Sequence, residues 1–107
     1  AWLIGVPWAE CGSVGGLLGL RTVTNEAVAY QELGKFVRGG ALGERATMLT
    51  TIAMCSFANF ASIGIQVGGI GTLVPERRQD IARLGFKALI VATLATALSA
   101  AIAGLMA

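Results

Sequence analysis

The sequence predicts an all-α membrane protein: a re-entrant helical hairpin, then a broken transmembrane helix, then a final transmembrane helix. Three observations predict it. Two long stretches, Ala46 to Pro75 and Ala88 to Ala107, carry no charge at all. Hydrophobic residues make up 55% of the chain and charged ones 13%, with a mean hydropathy of +0.74; a soluble domain holds roughly 25% charged residues. Two polar clusters, "TNE" and "SFANFAS", interrupt apolar segments at a depth where lipid would penalise them.

The hairpin is expected over residues 1–38. Trp2 to Leu20 is apolar but punctuated by Gly5, Pro7, Glu10, Gly12, Gly15, Gly16 and Gly19, and the polar "RTVTNE" follows before the chain turns apolar again. Each apolar half is too short to cross a hydrocarbon core of about 30 Å. Two such halves meeting at a polar tip read as a re-entrant hairpin, whose tip is tolerated only inside protein or a water-filled cavity. Thr24 or Asn25 can cap the second half, from about Asn25 to Val37, which ends before Gly39-Gly40. Glu26 then lies in the first turn, among free N–H groups at the positive end of the helix dipole. The glycines at 12 and 16, and at 15 and 19, read as small-xxx-small packing positions.

The broken helix is expected over 46–75. Its apolar run contains Ser56, Asn59, Ser62 and Gly64, which weaken a simple spanning helix. The glycines of "GIQVGGIG" lack the spacing and the Lys-Ser/Thr of a phosphate loop and read as a packed or bent helix. The last transmembrane helix is expected over 80–107. Its uncharged part, Ala88 to Ala107, covers about 30 Å at 1.5 Å per residue, and its alanines and Gly104 suit close helix packing. The loop before it carries Arg77, Arg78, Arg83 and Lys87, against Lys35, Arg38 and Arg45 in the earlier loop. The tighter cluster favours a cytoplasmic loop before the last helix and a C-terminus outside.

Several function classes are excluded. The chain has no histidine, so it offers no Ser/His pair, and no metal-ligand cluster or catalytic constellation appears; an enzyme is not expected. The net charge of +2 is small and dispersed, so nucleic acid is not an expected partner. Cys11 and Cys55, in apolar surroundings without C-x-x-C spacing, read as buried thiols. The chain opens on Ala1 within an apolar stretch and without a basic leader, so it reads as part of something longer.

What remains is the pair of polar interruptions. Paired broken helices mark substrate sites in secondary transporters, and an ionisable residue at membrane depth is a functional candidate. Each residue also has a plain role: Glu26 as a helix cap or snorkelling carboxylate, Asn59 as an interhelical hydrogen bond, Ser62 bonded to its own helix, Phe57 and Phe60 as packing. Together they make chemical sense. A carboxylate accepts two hydroxyl donors, an asparagine amide donates and accepts, a serine adds a third contact, and an aromatic face covers the apolar side of a ring. That set suits a neutral polyhydroxyl group such as a sugar, bound dry at the midplane.

The whole chain resembles the C-terminal part of the concentrative nucleoside transporter family. The resemblance rests on "GVPWAEC", "GGLLGLRTVTNEAVAY", "CSFANFASIGIQVGGIGTLVPERRQDIARLG" and the closing "AAIAGL", nearly end to end, with "TNE-x-VAY" and "FANF-x-SIGI-x-x-GG" specific in combination. It implies a homotrimeric nucleoside importer driven by sodium or protons, in a multi-pass bacterial inner-membrane location. Each protomer would have two inverted repeats, of which this chain is the second, one half of the transporter core. The resemblance further implies that Glu26, Asn59 and Ser62 bind ribose hydroxyls, that Phe57 packs beside the sugar, and that Asn25 shapes the hairpin tip. Nucleobase contacts and most of the coupling-ion site would lie before Ala1, so no cofactor or metal is expected here. Partners are then the nucleoside, the bilayer and the remainder of the core. The sequence departs from the family at Ala27, where a bulky aromatic is usual, and at Ser56, where glycine is common; the first would loosen hairpin packing and the second change the local bend. Two other readings compete: a pore-forming module lined by Glu26 and Asn59, and a structural membrane subunit in which these residues join helices.

Overall fold

The computed structural model describes all 107 residues and contains only helices. Short 3-10 turns at Trp2–Ile4 and Trp8–Glu10 lead into α1 (Cys11–Val23) and α2 (Glu26–Arg38). Then come α3 (Glu44–Met54), α4 (Phe60–Leu73), a 3-10 turn at Pro75–Arg77 and the long α5 (Arg78–Met106).

Local chemistry sets each boundary. α1 ends at Thr24, which leaves the helix at φ −99° and ψ −98°; its N–H still reaches Leu20 O at 2.9 Å, and its Oγ1 donates to the same oxygen at 2.6 Å. Two residues later the chain is helical again, because Asn25 is extended and its Oδ1 accepts the Val28 N–H at 3.0 Å. α2 closes in a Schellman motif: Gly40 has φ 68°, its N–H reaches Val37 O, and the Ala41 N–H reaches Phe36 O at 2.9 Å. The start of α3 has no side-chain cap of its own; Glu10 supplies one from a distance, Oε2 accepting the Gly43 N–H at 3.2 Å.

α1 and α2 fold against each other and onto α3 through Val14, Leu17, Ala29, Leu33, Leu49, Ala53 and Met54, all buried. α3 and α4 lie end to end along α5, which acts as a spine. The start of α3 meets the end of α5: a Cβ placed on Gly104 would stand 2.9 Å from Leu49 Cδ2 and 3.4 Å from Ile4 O. The side of α4 meets the start of α5, where a Cβ placed on Gly85 would stand 3.1 Å from Ile63 Cγ2 and one on Gly71 3.0 Å from Arg78 Cγ. Arg45 ties the far end together, donating from Nη2 to Gly104 O at 2.9 Å and from Nε to Gly5 O at 3.3 Å. That cation sits on the last-turn carbonyls of α5, where a positive charge is favourable.

α5 is long and apolar enough to cross a membrane, yet only 17% of its most apolar window is buried within the chain. Ile90, Val91, Leu94, Leu98 and Leu105 lie exposed along it. One sequence expectation meets a different arrangement. Cys55, the first residue past α3, is exposed, while Cys11 is half-buried with its Sγ near Val6 O and Pro7 O. Gly12, Gly15, Gly16 and Gly19 pack against nothing within 4 Å, so no helix of this chain uses that stripe.

Candidate functional site

The uncharged run breaks between Met54 and Phe60, and the break leaves backbone groups that need partners. The last four carbonyls of α3 have no intrahelical donor. Each finds one elsewhere. Thr51 O accepts from Tyr30 Oη of α2 at 2.8 Å, Ile52 O from the Cys55 N–H at 3.1 Å, Ala53 O from Arg21 Nη2 at 3.3 Å and Met54 O from the Ser56 N–H at 2.8 Å. Two of the four donors are therefore side chains of the α1–α2 pair. On the other side of the break Asn59 is extended and caps α4, its Oδ1 accepting the Ser62 N–H at 2.8 Å.

That cap leaves the Asn59 amide nitrogen free to donate, and it donates to Glu26 Oε2 at 3.4 Å. Glu26 is the first residue of α2, directly after its own asparagine cap. Two helix N-termini thus converge on one carboxylate, each capped by an asparagine, and both dipoles favour the negative charge. Glu26 is half-buried and Asn59 is 1% exposed.

The opposite charge sits one step away. Arg21, in the last turn of α1, is 1% exposed. Besides Ala53 O, its Nη1 donates to Ala58 O at 2.6 Å and to Ser56 Oγ at 3.3 Å. Its guanidinium lies where the C-terminal ends of α1 and α3 come together, the negative ends of both dipoles. Nε is buried without a partner, a local cost of about 1–3 kcal/mol set against three charge-assisted bonds. The sequence reading passed over Arg21. The signal was there: it is the sole charge between Cys11 and Asn25, at the depth where a charge has to be explained. Ser56, a departure from the resembled family, is part of the same cluster, since its Oγ also accepts the Ala58 N–H at 3.4 Å.

A groove of about 330 Å³ opens beside the break, between α4 and α5. Phe57, Asn59, Ser62 and Gln66 line one side, and Gly85, Ala88, Leu89 and Ala92 the other. Phe57 is 77% exposed, so nothing in this chain covers it. The structure brings Glu26 and Asn59 into contact and places Ser62 and Phe57 on the groove with Asn59. Glu26 does not line the groove and approaches it only through the Asn59 amide. Asn25 stays on its cap, facing Val28. No three His, Cys, Asp or Glu residues come together in a way that could hold a metal ion.

A family model described as the C-terminus of Na+ dependent nucleoside transporters matches residues 1–104. The chain belongs to that family. It is 49% identical over 105 residues to the uncharacterized transporter YutK of Bacillus subtilis, covering 98% of this chain and 26% of that protein. It is 44% identical over 119 residues to sodium/nucleoside cotransporter 1 of Rattus norvegicus, covering 99% of this chain and 18% of that protein. Among solved structures, CNTnw in an inward-facing substrate-bound state superposes with a TM-score of 0.88 at 45% identity, over 98% of this chain and 26% of that one. The chain therefore spans about a quarter of its bacterial relatives and less of the rat one. These relatives are transporters rather than enzymes, and membership places the chain in the cell membrane as part of a multi-pass protein.

Proposed function

We propose that this chain supplies the ribose-binding half of the substrate site in an ion-coupled nucleoside importer. One observation carries the reading: Glu26 and Asn59, from two separate interrupted elements, meet at the paired N-termini of α2 and α4. Their contact at 3.4 Å is long for a hydrogen bond. The carboxylate therefore keeps most of its acceptor sites for a ligand, and a ribose offers two adjacent hydroxyl donors that a carboxylate can take together. Ser62, one turn into α4, adds a hydroxyl beside them, and the exposed ring of Phe57 offers an apolar face to the sugar. Asn25 holds the tip that presents Glu26. Family membership supports the nucleoside as substrate, and the names of the relatives support sodium as the coupling ion; protons are the other candidate.

In this reading α1 and α2 form a re-entrant hairpin, α3 and α4 cross as one interrupted helix, and α5 is the last spanning helix. The three are one of two inverted repeats, and the protein works as a homotrimer in a bacterial inner membrane. The exposed apolar faces of α4 and α5 then meet lipid and the remainder of the transporter core.

The test is Glu26→Gln in the full-length protein, with uptake of labelled uridine measured beside the amount of protein in the membrane. Glutamine keeps an acceptor but loses charge assistance, worth about 1–1.5 kcal/mol per hydrogen bond. Uptake is expected to fall about tenfold or more at an unchanged membrane level. Wild-type uptake would remove Glu26 from the site.

A further inference from the structure

The mechanism above leaves one buried charge unused. Arg21 is almost wholly enclosed at 1% exposure, and every hydrogen bond of its guanidinium goes to the end of α3 or the break that follows. We propose that Arg21 is a positioning residue for the substrate site: its guanidinium fixes the non-helical segment against the α1–α2 pair and so sets the distance between Asn59 and Glu26. The inference rests on the ribose-binding reading of those two residues.

The geometry gives a direct route. Nη1 takes Ala58 O at 2.6 Å, the shortest of its three contacts. The carbonyl of Ala58 and the N–H of Asn59 belong to one rigid peptide plane, so a donor fixed on that oxygen orients the backbone from which the Asn59 side chain departs. Nη2 holds Ala53 O in the last turn of α3, on the other side of the break. One planar fork thus spans the break from end to end, and Ser56 Oγ fills the space between. The same arginine is covalently close to Glu26, five residues on across the two-residue turn. It therefore links both halves of the site. An ammonium is a point charge and cannot hold two carbonyls in a fixed plane as a guanidinium does, which separates positioning from simple charge balance.

The experiment uses the full-length transporter in proteoliposomes and reads KM and Vmax for uridine with Arg21→Lys, Arg21→Met, Asn59→Ala and Glu26→Gln, plus the double variant Arg21→Lys/Asn59→Ala. Arg21→Met is expected to raise KM about tenfold or more, and Arg21→Lys about threefold, with Vmax of the lysine variant within about twofold of wild type. In the Asn59→Ala background, Arg21→Lys is expected to add less than about twofold, because the residue it positions is gone. An unchanged KM in Arg21→Lys would overturn the inference, as would full multiplication of the two effects in the double variant. If Arg21→Met does not reach the membrane, Arg21→Lys and the double variant decide on the same criteria. If Asn59→Ala and Glu26→Gln themselves leave KM at wild type, the ribose reading fails and this inference with it. If those two raise KM and Arg21→Lys does not, only the role of Arg21 falls.

Discussion

Asn25 and Asn59 do the same local job and differ in what they have left over. Both are extended, both accept an N–H three residues on, and both start a helix. Only Asn59 turns its amide nitrogen to another element, where it meets Glu26. The difference can be separated by substitution. Asn59→Asp keeps the capping oxygen, removes the donor and sets a second carboxylate beside Glu26. It is expected to weaken uridine binding about tenfold or more, since one donor is lost and two carboxylates repel, and that repulsion at a position 1% exposed lowers thermal stability as well. Asn25→Ala should act mainly on stability, costing about 1 kcal/mol through the lost cap, with a smaller effect on affinity. Paired unfolding and binding measurements in detergent check both. The capping of α2 was legible in the sequence because it needs only neighbours along the chain. Glu26 was legible as a carboxylate at membrane depth. Arg21 was legible only as a lone charge at that depth; its role was not, because it depends on oxygens of Ala53, Ser56 and Ala58, more than thirty residues away.

The two interrupted elements are charge-matched where they cross. The C-terminal ends of α1 and α3 share the Arg21 cation, and the N-terminal ends of α2 and α4 share the Glu26 anion. Each charge faces the dipole ends that stabilise it, and the last four carbonyls of α3 are all paired. α5 is the frame behind this arrangement, and its glycines set how close α3 and α4 come. Gly104→Ala would bring a Cβ to 2.9 Å from Leu49 Cδ2, with the Ile4 carbonyl close behind. Overpacking of this kind costs about 1–3 kcal/mol, so the variant is expected to melt several degrees lower. An unchanged melting temperature would mean that Leu49 turns aside freely. The charge-free runs made α5 and the interrupted helix readable beforehand, since lipid admits few alternatives. The glycine stripe of α1 is open in this chain: small residues report that something can approach closely, not which element does. In this chain no element approaches it.

Across the whole molecule, burial is sparse. Only 19 of 107 residues are buried, in a body measuring 50 × 26 × 17 Å. Trp2, Trp8, Phe57, Leu94, Leu98 and Leu105 all stand exposed, an apolar exposure that marks contact with lipid or another protein surface. The full-length protein is accordingly expected to stay in the membrane pellet through an alkaline carbonate wash; release into the supernatant would contradict the membrane assignment. The polar cluster of Arg21, Glu26 and Asn59 lies largely inside this body, and the sugar-binding reading rests on it. The most direct measurement compares the affinity of the full-length protein for uridine and for 2′,3′-dideoxyuridine, in wild type and in Glu26→Gln. A site that hydrogen-bonds hydroxyls leaves its own polar groups unpaired when they are missing. Wild type is predicted to favour uridine by about a hundredfold or more, and Glu26→Gln to lose about tenfold or more of that preference. A preference that survives the substitution intact would show that Glu26 does not hold the ribose.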